Sequence, residues 1–568
     1  MQGLNKKILR ALGIASLALL VWPQPAGAQT RLTPIPHPHP IGVLQSAPVQ
    51  AAAQARVRAA AEASTSTSAS PWTPLSNQPS FLVDGASNPI LLMDGSVLIQ
   101  DAGFPDWWKL TPDHYGSYAN GTWTQVASLP ATYSPLYHSS AVLPDGRLII
   151  EGGEYLLNLA QTELVPTWSA QGSIYDPKAN TWTPVAPPTF FSGDPSAGLT
   201  GQTIGDAQSV VLPNGTYMQA DCCTKQSALL DAKTLTWTQT GFGKYDPNDE
   251  EGWNLLPNGK VLAVDAYVPI PPFPYIPAGK NYEIYNPQTG DWHVAGTTPV
   301  QLWDSWLTCG EMSQEPTNGP TFELGPGVLR PDGTVFYTGS NTCPGESGAT
   351  AIYNSYTNTW KAGPYFPGNN NIADGPASLE VNGKVLMMAS PMYGAPPSTF
   401  FEWDGRSLTE VPGTPNSPTD GSYYGNMLVL PTGQILLTDF SDDIYLYSSS
   451  SGPQREWAPV LTFAPIFLQA GGKGYQAFGY LFNGLSQGAF YGDDIQAATN
   501  FPLIRITNLI DGHVRYSRAH DPSTMAVVSD ELNSVRFDVP GDQEVGISKL
   551  EVVANGIPSE PVFVFVSK

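Results

Sequence analysis

A short turn recurs seven times along the chain, each time between apolar stretches. Six copies contain Asp-Gly or Asn-Gly, and the last contains Thr-Gly. Asp-Gly and Asn-Gly favour tight hairpins because their backbones reach positive φ at little cost. The residues after each turn are aliphatic and β-branched, which is typical of strands. The turn glycines are Gly95, Gly146, Gly215, Gly259, Gly333, Gly383 and Gly433.

The turns recur at intervals of about 50 residues, stretching to about 70 in two places, which is the period of the kelch repeat. Most turns are followed by a Tyr-, Asn- or Asp-bearing segment that ends in a tryptophan: Trp123, Trp182, Trp237, Trp292 and Trp360. Each unit therefore has the pattern of one four-stranded blade. The sequence predicts an all-β chain with a seven-bladed kelch-type propeller over residues 70–457.

The seventh unit lacks its tryptophan-bearing strand. Trp72, in Pro71-Trp72-Thr73-Pro74, precedes the first unit and matches the missing strand. We therefore expect the N-terminal segment to complete the last blade, which removes a free sheet edge.

The two ends of the chain differ from the repeats. Residues 1–28 have the basic, apolar and small-residue regions of a secretory signal peptide, with cleavage near Ala28. Residues 29–69 are rich in Pro, Ala and Ser and are expected to be a disordered linker. Residues 458–568 contain short alternating strands separated by Gly turns, which predicts an immunoglobulin-like β-sandwich.

The composition narrows the class of partner. The net charge of −23 argues against nucleic acid and anionic membranes, because like charges repel. The apolar run of the signal is too short to be a membrane-spanning helix, and no later stretch is long and apolar enough. We expect a secreted or periplasmic monomer.

Four cysteines are present in this exported chain. On the blade map, Cys309 and Cys343 lie in loops on the same face, so a Cys309–Cys343 disulfide is one expectation. The adjacent Cys222 and Cys223 have three open alternatives: a vicinal disulfide, free thiols, or pairing with the other two.

Polar side chains precede the hairpins at the end of the propeller where the inner strands begin, called here the strand-entry end. Such side chains can bind a metal, do acid–base chemistry, or line a water-filled channel, the plainest alternative. The binding-face candidates are His138, Asp206, Glu251 (or Glu250 in its place), Asp374, Tyr424 and His513, together with Glu323 and Asp420.

The combined architecture resembles the galactose oxidase and glyoxal oxidase family, whose propellers carry a C-terminal early-set domain, over about residues 70–568. Active members are copper radical oxidases. The resemblance implies an axial Tyr followed by a copper-binding His, a second His from the sandwich, and a Cys–Tyr thioether that holds an oxidising equivalent.

Only part of that set is present here. Tyr424 falls on the axial Tyr, and His513 matches the sandwich His. Gly425 stands where the first copper His is expected. The thioether positions fall on Tyr137-His138 and Asp206-Ala207, which supply neither Cys nor Tyr at the required places. We therefore expect no family-type copper radical oxidase activity.

Three functions follow as hypotheses. The first is a secreted, non-oxidase protein that binds a glycan or another extracellular partner, since fold and function separate readily. The second is an enzyme, an oxidase or hydrolase, with a remodelled metal site at the strand-entry end that uses His138, Tyr424 and His513; copper fits only this hypothesis. The third is an adhesive role at a cell surface.

Overall fold

A computed structural model describes residues 70–158, 164–193, 201–266, 269–270, 273–277, 280–303, 323–340, 346–391, 394–492, 494 and 497–568. The predicted signal peptide, the predicted linker and both Cys309 and Cys343 lie outside these residues. The described chain is all-β: three short 3-10 turns, Pro367–Asn369, Ser422–Tyr424 and Arg455–Trp457, are its only helical elements. Within it, no helix has the length and apolarity needed to cross a membrane.

Seven four-stranded antiparallel units follow one another along the chain, each ordered from an inner to an outer strand. Sheets 1 to 4 consist of Ala86–Leu91, Val97–Asp101, Trp107–Thr111 and Thr122–Gln125; Ser139–Val142, Leu148–Glu151, Gly172–Asp176 and Thr181–Val185; Ser209–Val211, Tyr217–Ala220, Ser227–Asp231 and Thr236–Thr240; and Trp253–Leu255, Val261–Val264, Asn281–Asn286 and Asp291–Thr297.

Sheets 5 to 7 consist of Gly327–Leu329, Thr334–Thr338, Thr350–Asn354 and Thr359–Ala362; Ala377–Leu379, Val385–Pro391, Thr399–Trp403 and Leu408–Val411; and Asn426–Val429, Ile435–Thr438, Tyr445–Tyr447 and Trp72–Pro74. Two smaller sheets lie in loops: Pro135–Leu136 with Tyr155–Leu157 and Leu164–Pro166, and Pro269–Ile270 with Phe273–Pro277. Asn370–Asn371 and Ala489–Phe490 extend sheet 6.

The seven sheets are arranged as in a propeller. Each inner strand from sheet 2 to sheet 7 contacts the next, and the inner strand of sheet 7 contacts that of sheet 1. Between sheets 1 and 2, Asn88 Nδ2 donates to Ser140 Oγ at 3.4 Å. The fold is therefore all-β and propeller-like.

The first strand completes the last sheet. Trp72 pairs with Tyr447 and Pro74 with Tyr445 in antiparallel register. The prediction that the Trp72 segment supplies this strand is confirmed. The same sheet thus contains the first described strand and the last strand of the repeats.

Outer-strand tryptophans join several pairs of neighbouring sheets. The indole N–H of Trp182 donates to Ala127 O at 2.8 Å, that of Trp237 to Ala186 O at 2.7 Å, and that of Trp72 to Pro412 O at 2.7 Å. In each case the acceptor follows the outer strand of the preceding sheet. The large apolar ring packs in the wedge while its one donor is satisfied.

The hairpin turns differ in one respect from the expectation. Each of the seven turn glycines has a positive φ, between 77° and 86°, but the Asp, Asn or Thr before it does not. The Asp or Asn instead accepts a backbone N–H with its side chain, as Asp94 Oδ1 does from Ser96 N at 3.0 Å. Only glycine is needed for the left-handed backbone, and the preceding residue stabilises the turn.

The remaining strands form a nine-stranded C-terminal sheet. Its strands are Val460–Phe463, Phe467–Gln469, Tyr475–Tyr480, Leu503–Asn508, Val514–His520, Asn533–Asp538, Gly546–Ala554, Ile557–Pro558 and Val562–Ser567. It lies over the hairpin turns: Ala519 N donates to Met93 O at 2.9 Å, and Met525 N donates to Pro213 O at 2.9 Å.

One loop of the C-terminal sheet passes between the inner strands; its described residues are 481–492, 494 and 497–502, and we call it the plug loop. Its short strand Ala489–Phe490 pairs with the inner strand of sheet 6. Gln487 Oε1 accepts Leu255 N of sheet 4 at 2.7 Å. Its Tyr491 O–H donates to Tyr423 O, just before sheet 7, at 2.8 Å. The plug loop therefore connects the turn end of the sheets to the strand-entry end.

We expect Trp72→Ala to lower the free energy of unfolding by about 3–5 kcal/mol, because it empties a buried space and removes the closing indole bond. Trp72 is 5% exposed, and its ring lies 4.9 Å from those of Phe400 and Tyr447. Urea unfolding measures the change. Tyr365→Ala, at a 61% exposed position, serves as the control and should change stability by less than about 0.5 kcal/mol. Equal effects of the two substitutions would contradict this role of Trp72.

Candidate functional site at the strand-entry end

Three buried carboxylates meet at the strand-entry end. Glu250, Glu323 and Asp374 each place a carboxylate oxygen within 4.8 Å of the other two. They belong to the segments that lead into the inner strands of sheets 4, 5 and 6. The sequence pointed to Glu323 and Asp374 and left Glu250 as the alternative to Glu251; the ring arrangement brings Glu250 to the other two. Carboxylate oxygens in this number suit a hard divalent cation or an ammonium group.

The backbone at two of these positions is unusual. Glu250 has φ +57°, and Asp374 has φ +99°. Positive φ is uncommon for residues other than glycine, so the surrounding contacts must hold these two residues in place.

The tip of the plug loop lies directly against this carboxylate group. A Cβ atom on Gly492 would stand 2.9 Å from Asp374 Oδ1, and one on Gly252 would stand 2.2 Å from Gly492 O. Any side chain at either position would push the loop away. The two glycines therefore let the plug tip reach the carboxylates.

An aromatic group borders the carboxylates. The ring of Tyr424 lies 4.3 Å from that of Tyr423 and 5.8 Å from that of Phe440, and Tyr137 packs 6.2 Å from Tyr491. Burial raises the pKa of the Tyr424 hydroxyl. Tyr424 remains partly exposed and offers a face on which a sugar ring could stack. The loop aromatics Trp107, Trp253 and Trp303 are instead fully buried in the core.

Asp206 lies in a separate group with Asp249 and Cys222. Cys222 and Cys223 form a vicinal disulfide, one of the three open alternatives. A Cβ atom on Gly205 would stand 2.6 Å from Cys222 Sγ, so the disulfide packs against the segment that carries Asp206.

Glu251 points into another cluster, within sheet 4. Lys244 Nζ lies 3.0 Å from Glu251 Oε2, 2.8 Å from Asp246 Oδ1, 2.7 Å from Glu283 Oε2 and 3.9 Å from Asp265 Oδ1, with every side chain fully buried. Burial raises the pKa of Glu251 and of Asp265 well above the usual range despite the nearby lysine. This cluster is separate from the three-carboxylate group.

His138 is fully buried between sheets 1 and 2. Its Nε2 lies 2.9 Å from Gln100 Oε1, and its Nδ1 lies 3.1 Å from Ser139 O. Burial lowers the pKa of the imidazole to about 4. A neutral imidazole carries one N–H and donates to one of these two oxygens, and Asn88 Nδ2 lies 3.5 Å from its Nε2. The histidine therefore joins two sheets.

His513 does not reach the strand-entry end, which corrects the expectation that it descends from the C-terminal region toward Tyr424. It lies in the turn after Leu503–Asn508, where its Nδ1 is 2.9 Å from Glu544 Oε1 and its ring stacks 5.2 Å from His114. The plug loop, rather than the turn at His513, enters between the sheets. Its length and small residues are the sequence signal that could have revealed it.

The residues that would hold copper in the resembled family do not form that set here. A Cβ atom on Gly425 would stand 2.5 Å from Met388 Sδ and 2.9 Å from Pro376 Cγ, so no histidine fits. His513 lies elsewhere, and neither Tyr137-His138 nor Asp206-Ala207 supplies a thioether partner. The side chains present do not fit a copper radical centre.

A repeated aspartate escaped sequence reasoning. It stands six residues after the turn glycine in four units, at Asp101, Asp221, Asp265 and Asp439. Asp101 accepts Val83 N at 2.7 Å and Asp84 N at 2.9 Å. Asp221 accepts Thr203 Oγ1 at 2.7 Å, and Asp439 accepts Asn416 Nδ2 at 3.0 Å. Each holds the segment that enters its own sheet, so the fixed spacing from the glycine was the available signal.

Charge is unevenly distributed over the molecule. In the described segments that enter the inner strands, or that join second to third strands, the basic residues are Lys225, Lys244 and Lys280, and carboxylates far outnumber them. Lys244 is already enclosed by carboxylates. The strand-entry end therefore carries a negative potential that favours cationic ligands over anionic ones.

Comparisons with known proteins place the chain only by distant likeness. No family model matches it, and no curated protein matches it. A solved fungal alcohol oxidase of the AA5 family, in complex with copper, is 14% identical over 88% of this chain and 99% of its own, with a TM-score of 0.46.

A streptogramin B lyase is 12% identical over 66% of this chain and 96% of its own, with a TM-score of 0.42. A virginiamycin B lyase from Staphylococcus aureus is 11% identical over 66% and 97%, with a TM-score of 0.39. Likenesses this weak carry no argument about family or activity.

We expect the protein to be more stable at about pH 5 than at about pH 8. Burial raises the pKa of Asp101 and of Asp221 to about 6, above the unfolded value of about 3.9. Each carboxyl therefore adds stability as the pH falls from about 6 toward 4. Burial lowers the pKa of His138 to about 4, so this residue reduces the stability of the folded protein as the pH falls from about 6.5 to 4. Two carboxyls outweigh one imidazole.

Thermal unfolding at the two pH values measures this difference. Asp221→Asn should reduce the rise in Tm on acidification, and His138→Gln should enlarge it, because each substitution removes one of the opposing titrations. A Tm that falls on acidification to pH ~5 would show that Asp101 and Asp221 do not dominate the pH dependence of stability.

Proposed function

We propose that this protein is a secreted, monomeric, galactose-oxidase-like kelch propeller that binds an extracellular ligand at the strand-entry end and does not catalyse copper radical oxidation. In this proposal the seven sheets are the blades of one propeller over residues 70–457, and residues 458–568 are an immunoglobulin-like early-set domain. The convergence of Glu250, Glu323 and Asp374 beside the plug tip carries the proposal.

The chemistry of that end supports a neutral or cationic ligand. The excess of carboxylates disfavours sulfated or phosphorylated partners, because two negative groups would be brought together. The partly exposed ring of Tyr424 suits the apolar face of a sugar. A neutral or amino-bearing glycan satisfies both constraints, and a basic segment of an extracellular protein satisfies the first.

We expect no oxidase turnover. The copper-loaded protein should release no H₂O₂ from a panel of primary alcohols, sugars and aldehydes, because Gly425 offers no ligand and no thioether pair is present. A peroxidase-coupled assay measures this, with an active copper radical oxidase as the positive control. Copper-dependent turnover would refute this part of the proposal.

Ligand binding is tested with a glycan array and a pull-down from extracellular fractions. Glu323→Gln and Asp374→Asn should each weaken binding of any ligand found, by about tenfold or more, because each removes a buried charge from the site. Glu456→Gln, outside the strand-entry end, is the matched control and should bind as the unmodified chain does. Absence of binding at high micromolar concentrations would exclude the binding function.

The second candidate function is an enzyme with a remodelled metal site. Three carboxylates within 4.8 Å of one another favour it, since such a group can hold a divalent cation that activates water. The variants Glu323→Gln and Asp374→Asn separate the two candidates. Stoichiometric metal in the purified chain that is lost in both variants supports the enzyme, and a metal-free chain that still binds its ligand supports the binding protein.

A further inference from the structure

His513 belongs to a second cluster, on the opposite side of the molecule from the strand-entry end. Asp511, His513 and Glu544 place one ligand atom each within 4.8 Å of the others. His513 Nδ1 lies 2.9 Å from Glu544 Oε1 and 3.6 Å from Asp511 Oδ2. Asp511 and His513 lie in the turn between Leu503–Asn508 and Val514–His520, and Glu544 lies in the neighbouring loop before Gly546–Ala554.

We propose that Asp511, His513 and Glu544 form a binding site for a first-row divalent cation, with Zn²⁺ as the expected ion and His114 as the fourth ligand. The site is independent of the proposed function at the strand-entry end. One imidazole with two carboxylates is a donor set that zinc accepts, and the imidazole disfavours Ca²⁺ and Mg²⁺.

The spacing of the donors fits such an ion. Tetrahedral ligands about 2.0–2.1 Å from zinc lie roughly 3.3 Å from one another, and the two distances from His513 Nδ1 bracket that value. The side chains of Asp511, His513 and Glu544 are 36%, 29% and 21% exposed, so an ion can enter from solvent. The third pair of ligand atoms, on Asp511 and Glu544, lies within 4.8 Å, and closing the site brings these two carboxylates closer together.

His114 reaches the same place from sheet 1. Its ring stacks on His513 with the centroids 5.2 Å apart, and its backbone O accepts Val514 N at 2.7 Å. Two imidazoles bound to one tetrahedral ion have ring centroids about 5 Å apart. His114 is exposed, so its ring is free to turn toward the ion. A bound ion would tie the C-terminal sheet to the loop that follows the third strand of sheet 1.

The local charge also favours a cation. Arg515 shares Glu544 Oε1, 3.1 Å from its Nη2, and its Nε lies 3.5 Å from Asp542 Oδ2. The group of Asp511, Asp542, Glu544 and Arg515 therefore keeps an excess of negative charge that one divalent ion offsets.

The full chain, freed of metal with a chelator, is titrated with Zn²⁺ by calorimetry and by the shift in Tm. We expect one high-affinity site per chain and a Tm that rises with zinc, because the ion binds only the folded arrangement. His513→Ala and Glu544→Gln should each weaken zinc binding by at least about tenfold and remove the Tm shift. His114→Ala should weaken it as well, and Ca²⁺ should not compete.

Two control variants isolate the site. His293→Ala removes another exposed histidine, on the outer strand of sheet 4, and the double variant His37→Ala/His39→Ala removes the histidines near the start of the chain. Both should bind zinc as the unmodified chain does. The proposal is overturned if the unmodified chain shows no saturable zinc binding, or if His513→Ala and Glu544→Gln leave it unchanged. Unchanged binding in His114→Ala alone would remove His114 from the ligand set.

Discussion

The structure depends on one pairing between distant parts of the chain: Trp72–Pro74 with Tyr445–Tyr447. Sheets set around a common axis leave an open edge unless the two ends of the repeat meet. Here they meet in a single sheet, and the Trp72 indole also bonds to Pro412 O, at the end of the preceding sheet. Each sheet then packs against a neighbour on both sides, and this packing fixes the residues at the strand-entry end relative to one another.

That fixed geometry explains how polar residues from separate repeats form groups. Glu250, Glu323 and Asp374 come from three different sheets, and the plug loop occupies the space beside them. In sheets 1, 3 and 7 the repeated aspartates Asp101, Asp221 and Asp439 hold the entering segment against its own sheet. Burial then raises the pKa of several of these carboxyls.

The propeller-like fold is present, but the copper chemistry that the resemblance implies is not supported by the residues in it. Gly425 is closely surrounded by Met388 and Pro376. The fold therefore has no room at this position for the expected copper-binding histidine. His513, the other expected ligand, lies with Asp511 and Glu544 at the junction with sheet 1. Tyr424 and His513, which the resemblance assigns to one copper site, therefore lie at opposite ends of the molecule. Tyr424 lies beside the carboxylates, and His513 lies with Asp511 and Glu544.

The sequence by itself determined the repeat. Glycine at each turn and a tryptophan on six of the seven outer strands, Trp72 among them, specify local backbone geometry and burial, which are read from neighbouring residues. It also located Glu323 and Asp374 and narrowed a third position to Glu250 or Glu251, because counting back from a turn gives the start of an inner strand. Tertiary structure alone decided which of those residues meet. Glu251 adjoins Glu250 in sequence yet points into the Lys244 cluster, and His513 follows a suitable strand yet faces Glu544. Such choices depend on the path of the plug loop and on packing between sheets, which are contacts between residues far apart in the chain.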